Sequence, residues 1–298
     1  MMKTYRNVFE RILPRALVCL LTVTGVCACA DEAKEPLPEK MPIVVEGWIE
    51  DGGHPMVIVT RAVILRGDSI DFNESVEKWC RVTVSDGNRD VILTARKNDD
   101  YMPSYVFTST RITGKVGLTY TLTIETEDES YSATTTIPAP VTIDSLRVSR
   151  SVMNDTLYQV HAFAPIAAER GRYYKFFTWV RNREKRYYSA FLGTFEGVDY
   201  NPVTGYGVSR GNHTDFRNVL EDGKKEPFTP NYYKGDTVYV KLCTLEPEAY
   251  EFWRAYENSV SLSNNLFFNV TNGCPSNIAG AKGYWAGYGS SIRTAIVR

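Results

Sequence analysis

The seven residues Leu118-Thr119-Tyr120-Thr121-Leu122-Thr123-Ile124 alternate between apolar and polar without a break. A period of two is the signature of a strand with one face in a core and the other in water. The same period runs through Arg81-Val82-Thr83-Val84-Ser85, and Asp86-Gly87 then supplies a hairpin signal before Val91-Ile92-Leu93. Further strands are expected at Ile43-Val44-Val45 running into Gly47-Trp48-Ile49, at Met56 to Val59 after the turn Asp51-Gly52-Gly53, at Tyr105 to Phe107, and at Tyr131 to Ile137. About seven short strands between turns predict an immunoglobulin-like β-sandwich over residues 41–137, without the Cys…Trp…Cys spacing of true immunoglobulins. Pro138-Ala139-Pro140 cannot donate ladder hydrogen bonds and stiffens the chain, so a domain boundary is expected there.

Residues 141–298 predict a second β-rich domain, far more aromatic than the first. Tyr173 to Val180 and Tyr187 to Leu192 read as paired strands across the charged turn Arg181 to Arg186, and Gly235 to Leu242 as another strand. One helix is expected at about residues 245–260. Thr244 is a candidate cap, Glu246 and Glu248 suit the positive end, and Pro247 is tolerated in a first turn. Ala249, Phe252, Trp253, Tyr256 and Val260 form its apolar stripe. One helix among many strands excludes an alternating βαβ fold, so the class is mostly β.

Residues 1–29 form a targeting segment. Lys3, Arg6, Arg11 and Arg15 precede an eleven-residue, mostly apolar run from Ala16 to Val26, too short to span a bilayer but suited to a signal-peptide core. A cut before Cys29 leaves Ala28 and Val26 at the positions where small residues are wanted, which resembles the lipobox of bacterial lipoproteins. Cys29 is therefore the expected lipidated N-terminus. Asp31 and Glu32 behind it resemble the acidic export tag of surface-exposed Bacteroidetes lipoproteins, since carboxylates gain nothing from an anionic headgroup layer. Residues 30–40 are polar with two prolines, a linker reaching at most about 35 to 40 Å. The expected location is the outer membrane, lipid-anchored and facing the cell exterior.

Loss of the segment removes four basic side chains and Glu10, leaving 30 Lys+Arg against 34 Asp+Glu, a net charge of −4 from the original 34 and 35. That balance gives no bias toward nucleic acid. Cys80, Cys243 and Cys274 remain besides Cys29, an odd set that allows one disulfide at most and matches no zinc spacing. His54, His161 and His213 are widely spaced, so no metal site and no cofactor are expected. Gly207-Val208-Ser209-Arg210-Gly211 matches the serine-hydrolase elbow, with His213 and Asp215 beyond it. The run before it, Tyr200 to Tyr206, is a Gly/Pro loop rather than a buried strand, which speaks against a catalytic serine.

Val44-Val45-Glu46-Gly47-Trp48-Ile49, then Gly235-Asp236-Thr237-Val238 with the Pro247-Glu248-Ala249-Tyr250 helix, then Pro275-Ser276-Asn277-Ile278 with Gly283-Tyr284-Trp285-Ala286-Gly287-Tyr288, are landmarks spanning nearly the whole mature chain. Together they resemble the uncharacterised Bacteroidetes outer-membrane lipoprotein family called domain of unknown function 4249. Cys274, before the proline, departs from that family's pattern. The resemblance implies a lipoprotein often encoded beside TonB-dependent transporters, with no catalytic residues to carry over.

The expected function is thus a non-catalytic accessory or binding subunit of a TonB-dependent β-barrel transporter. The alternatives are a fimbria-like adhesive subunit and a hydrolase with an unrecognised site. Tyr284, Trp285 and Tyr288, among glycines, are candidate ligand contacts, although such a run equally suits a closing strand that fills its own core. Cys29→Ala is expected to abolish incorporation of labelled palmitate and leave the protein outside the membrane fraction. Unchanged labelling would remove the anchor.

Overall fold

Sixteen strands and one helix emerge from this pattern in a computed structural model that describes residues 41–62, 73–152, 154–211, 229–262 and 273–298. The strands are β1 (Ile43–Glu50), β2 (Met56–Arg61), β3 (Arg81–Ser85), β4 (Asp90–Ile92), β5 (Thr94–Lys97), β6 (Tyr105–Thr108), β7 (Thr119–Glu125) and β8 (Ser130–Thr136). After Pro138-Ala139-Pro140 come β9 (Ser145–Arg150), β10 (Leu157–Phe163), β11 (Tyr173–Val180), β12 (Tyr188–Glu196), β13 (Tyr206–Val208), β14 (Tyr232–Tyr233), β15 (Thr237–Leu245) and β16 (Lys282–Ile296). The helix α1 spans Pro247–Leu262. The protein is mostly β.

An eight-stranded sheet, ordered β12-β11-β15-β16-β1-β2-β6-β5, draws strands from both sides of the proline stretch. Its centre is a parallel ladder in which Val44 to Glu50 of β1 face Lys282 to Tyr288 of β16. The later half of β16 pairs antiparallel with β15, from Gly289 opposite Thr244 to Ile296 opposite Thr237. One 15-residue strand therefore carries both halves of the sheet.

Two four-stranded sheets cover one face. The sheet β4-β3-β7-β8 shares a core with β1 and β2, in which Val82, Val84, Leu122 and Ile124 meet Ile43, Val45, Ile49, Val57 and Val59. The alternation is realised here from Tyr120 to Ile124, with Tyr120, Leu122 and Ile124 buried while Thr119 and Glu125 are exposed; Leu118 precedes the strand and stays exposed. The sheet built on β10, with β9, β13 and β14, packs Val160, Ala162 and Val208 against Phe176, Val240 and Leu242 of β11 and β15. Period two decides each assignment, because consecutive side chains on a strand point to opposite faces.

Trp285 closes the first core. Its ring is fully buried, its Nε1 donates to the Tyr120 carbonyl at 3.0 Å, and the missing Cβ of Gly47 leaves the ring room. Where β16 has no neighbour on its β15 side, the Asn277 amide substitutes for a strand: its Oδ1 accepts from Trp285 N–H at 2.9 Å and its Nδ2 donates to the Trp285 carbonyl at 2.8 Å. The connection from β8 to β9 then crosses β16 at van der Waals distance. A Cβ on Gly287 would stand 2.6 Å from the Thr136 carbonyl oxygen, and one on Gly289 2.0 Å from that of Pro138. Glycine at these positions is a matter of space for backbone crossing backbone. Ser291 Oγ continues the crossing, donating to the Val141 carbonyl at 2.8 Å.

The helix differs locally from expectation at its start. Thr244, the candidate cap, stays inside β15, and its buried Oγ1 has no hydrogen-bond partner. Glu246 precedes the helix instead, and its carboxylate accepts from Thr135 Oγ1 and Thr136 N–H at 2.8 and 2.7 Å, tying the helix start to β8. β15 starts two residues later than its alternation suggested and runs three residues past Leu242, to Leu245. Trp285→Ala is expected to cost about 3 to 5 kcal/mol by urea unfolding, the range for deleting a buried aromatic. A loss below about 1 kcal/mol would show that the ring does not hold the sheets together.

Candidate functional site

The other face of the long sheet carries the chemistry. Residues 173, 175, 177 and 179 of β11, the odd positions of β15 and the even positions of β1 and β16 point to it. Helix α1 covers part of that face through Ala249, Tyr250 and Trp253, which pack on Phe177, Cys243, Tyr284 and Tyr288. Trp253 Nε1 donates to Tyr288 Oη at 2.9 Å.

Two lysine–glutamate pairs lie beneath this layer. Lys175, with no exposed side-chain surface, donates to Glu257 of the helix. Glu257 also accepts from Gly193 N–H at 3.1 Å, Thr194 N–H at 3.3 Å and Thr194 Oγ1 at 2.8 Å. The β11–β12 register shifts between Lys175 and Phe177, and Leu192 adopts φ 51°, a left-handed conformation rare for leucine. This bulge turns the next two N–H groups toward the carboxylate, so backbone strain in β12 serves the ion pair.

Lys241 forms the second pair, 2.5 Å from Glu50, which also accepts from Ser290 Oγ at 3.4 Å. The two lysines respond oppositely to their surroundings. Burial pulls the Lys175 pKa below its ordinary value even against Glu257. Burial opposes the Lys241 ammonium as well, but the attraction and hydrogen bond of the Glu50 carboxylate oppose it in turn, and the pKa is raised. The two glutamates differ in exposure: Glu50 keeps a fifth of its side chain in water, Glu257 less than a tenth.

Half-buried aromatic side chains ring the rest of the face. Trp48 and Tyr101 lie with ring centres 6.0 Å apart, Trp179 stacks on Tyr239 at 4.7 Å, and Tyr187 meets Trp179 at 5.9 Å. Arg186 sits over both Tyr101 and Tyr188, at 4.7 and 4.6 Å, and its Nε donates to the Asp100 carbonyl at 2.9 Å. A flat sheet would hold β6 and β11 about 24 Å apart, five strand spacings. The contact of Arg186 with Asp100 and Tyr101 therefore requires the sheet to coil. Glu46, on the same face, accepts from Tyr284 Oη at 3.3 Å. Burial, first of all, pushes the Tyr101 and Tyr256 hydroxyls up to about 12.

Of the residues singled out from sequence, Tyr284 and Tyr288 lie buried on this face against α1, while Trp285 lies in the core on the opposite face. Cys29, Asp31, Glu32, His213 and Asp215 fall outside the described residues. Ser209 follows β13 in an extended segment that reaches a bridge between Gly211 and Ala190, with Arg210 Nε 2.8 Å from Glu184. A strained strand-to-helix turn is not what surrounds that serine up to Gly211. Cys80, Cys243 and Cys274 are free thiols, and burial raises the pKa of each, which keeps them protonated and inert. Among the described residues no group of three His, Cys, Asp or Glu side chains is placed to hold a metal ion. A shallow cleft of about 700 Å³ lies elsewhere, between β9, Phe163, Tyr200 and Pro202. The ionic pairs had a faint sequence signal: Lys175 interrupts an aromatic strand, and Glu257 falls four residues after Trp253 on the apolar stripe.

Residues 31–293 match the family described as Domain of unknown function (DUF4249), and the chain belongs to it. No curated protein matches the chain.

Glu257→Gln is expected to cost about 3 kcal/mol or more, because it strands a buried ammonium, whereas Lys175→Met with Glu257→Gln recovers most of that loss. Chemical denaturation of the three proteins checks this. A single variant as stable as the parent would mean that the pair does not fasten α1.

Proposed function

For this member of the family we propose a lipid-anchored protein of the bacterial outer-membrane surface that serves, without catalysis, as an accessory or binding subunit of a TonB-dependent transporter. The observation that carries this reading is Cys29, placed after a short apolar run behind a basic front and followed at once by Asp31 and Glu32. Several acyl chains on such a cysteine anchor a protein stably, whereas one gives only marginal binding. The folded part supports a binding role. Its two buried lysine–glutamate pairs are spent on structure, Lys175–Glu257 fastening α1 to the sheet and Lys241–Glu50 joining β15 to β1, and what remains on the helix-side face is a set of half-buried aromatic rims suited to contact rather than to bond cleavage.

The finer fold reading belongs here too. We read the first half as an immunoglobulin-like sandwich, supported by Tyr120, whose hydroxyl donates to the Thr113 carbonyl at 3.2 Å and accepts from Lys115 N–H at 2.9 Å. A tyrosine bonded back to nearby upstream backbone is a hallmark of such sandwiches. The aromatic second half is read as a distinct β layer system built around α1. A fimbrial role draws less support, because it needs an exchangeable strand. The chain's last strand, β16, runs through the middle of the long sheet, where its removal would break two ladders.

The test is affinity purification of the tagged protein from its own outer membrane in mild detergent after crosslinking, read by mass spectrometry. A β-barrel transporter recovered in near-equal amount is the expected result. Recovery of the protein alone, as a ladder of its own multimers, would overturn the accessory role in favour of self-assembly.

A further inference from the structure

We infer that the later half of β16 is a pairing edge for a second copy of this chain, joining two long sheets across a two-fold axis. The inference goes beyond the role proposed above and does not rest on it. Odd residues at the end of β16 turn their backbone groups toward β15: Val297 donates to the Asp236 carbonyl at 2.9 Å and accepts from Gly235 N–H at 2.7 Å. Even residues turn theirs the other way, where the Tyr288 carbonyl accepts from Asp51 N–H at 3.1 Å. There β1 ends. From Ser290 to Ile296 the β15 side stays paired, whereas among the described residues no strand pairs with the other side. The backbone groups of Ser290, Ile292, Thr294 and Ile296 therefore form an open edge.

Sheet edges are ordinarily guarded, and the two ends of this sheet are. β5 carries Arg96 and Lys97, and β12 is broken by its bulge near Leu192. The β16 edge has no proline, no lysine and no register shift, and it shows Ile292 and Ile296 each 54% exposed. Its single charge, Arg293, lies on the opposite face, where Nη1 donates to the Ile143 carbonyl at 3.0 Å.

The sequence of the edge selects the occupant. Its wet face reads Ile292, Thr294, Ile296, the same in both directions, so an antiparallel copy turned about Thr294 matches it. That register sets Ile292 opposite Ile296 of the second copy, the two Thr294 side chains opposite each other, and Arg293 opposite Ala295. Such β-branched and Thr–Thr pairs are favourable cross-strand neighbours. An axis at Arg293 would oppose two guanidinium groups. An axis at Ile292 would bring Ile296 of the second copy to Tyr288, whose edge Asp51 already occupies. In the Thr294 register, Arg298 of the second copy lies opposite Ser290, which donates to Glu50 at 3.4 Å, so a cation arrives beside a carboxylate. A strand of another protein would meet the same backbone groups, but the reversal symmetry of the face singles out this chain.

The test is sedimentation velocity of the full mature chain, produced without acylation, over rising concentration. A reversible equilibrium between monomer and dimer is expected. Ile292→Lys with Ile296→Lys sets like charges opposite each other at exposed positions. It should weaken the dimer about tenfold or more and leave the thermal midpoint in place. Under copper–phenanthroline oxidation Thr294→Cys should give a covalent dimer, because facing residues of a hydrogen-bonded pair stand about 5.5 Å apart at Cα, within disulfide reach. Ile292→Cys and Ile296→Cys should each fail to cross-link alone and succeed when mixed. Where the lysine variant folds poorly, the cysteine pattern decides. A chain monomeric at every concentration, or equal cross-linking from all three single cysteines, would overturn the inference. A two-fold pair closes on itself, unlike the ladder of multimers of a self-assembling subunit. A monomer recovered with a transporter leaves the accessory role intact and removes this one; a dimer recovered without a transporter does the reverse.

Discussion

The parallel ladder between β1 and β16 is the contact on which the rest of the structure depends. Parallel pairing cannot be made by a hairpin, so it must bring together segments far apart in the chain. Here it joins the first described strand to the last. The closure entropy of so long a loop grows only slowly with length, so its cost is modest beside the burial it permits. With the ladder formed, β16 presents Trp285 to one small sheet and its later odd positions to the connection leading into the other. The same strand presents Tyr284 and Tyr288 to α1 on the reverse side. Each layer is thus registered against a single strand, and a slip of one residue would exchange the two faces throughout.

The reverse side shows how charge can be used inside a β protein. Burying an ammonium and a carboxylate costs several kcal/mol per ion before their attraction is counted, so a buried pair is poor evidence of net stabilisation. What it supplies is position. Glu257 meets four donors from β11 and β12, and only one placement of α1 satisfies them together. Leu192, held at a positive φ, is part of the cost of aiming those donors. An apolar contact in the same place would have tolerated a sliding helix.

Much of this was legible in the sequence where one face of a strand is wet. Arg81 to Ser85 is β3 and Tyr173 to Val180 is β11, residue for residue, because alternation or an aromatic run between charged turns marks the ends. Strands β5, β9, β10, β13 and β14 were not legible. Thr94–Lys97 is exposed throughout and shows no period, and Ser145–Arg150 does alternate, but with only Leu146 and Val148 as apolar positions, a run too short to stand out. The face bearing the candidate site was legible only in fragments. Its aromatic residues could be counted, but whether a ring faces a core or a rim depends on which strands become neighbours. The pleat puts the adjacent Tyr284 and Trp285 on opposite sides of the sheet, but only the neighbouring layers decide what each side meets. Pairings such as Lys241 with Glu50, 191 residues apart in the chain, leave no local trace.

If one strand registers every layer, the strands before and after the proline stretch lose protection together. Native-state hydrogen exchange in rising denaturant measures that, through the slowest amides of β1, β7, β11 and β15. The account predicts that all four converge on one opening free energy, that of global unfolding. Protection surviving in β11 and β15 at denaturant concentrations where β1 and β7 have already exchanged would contradict it.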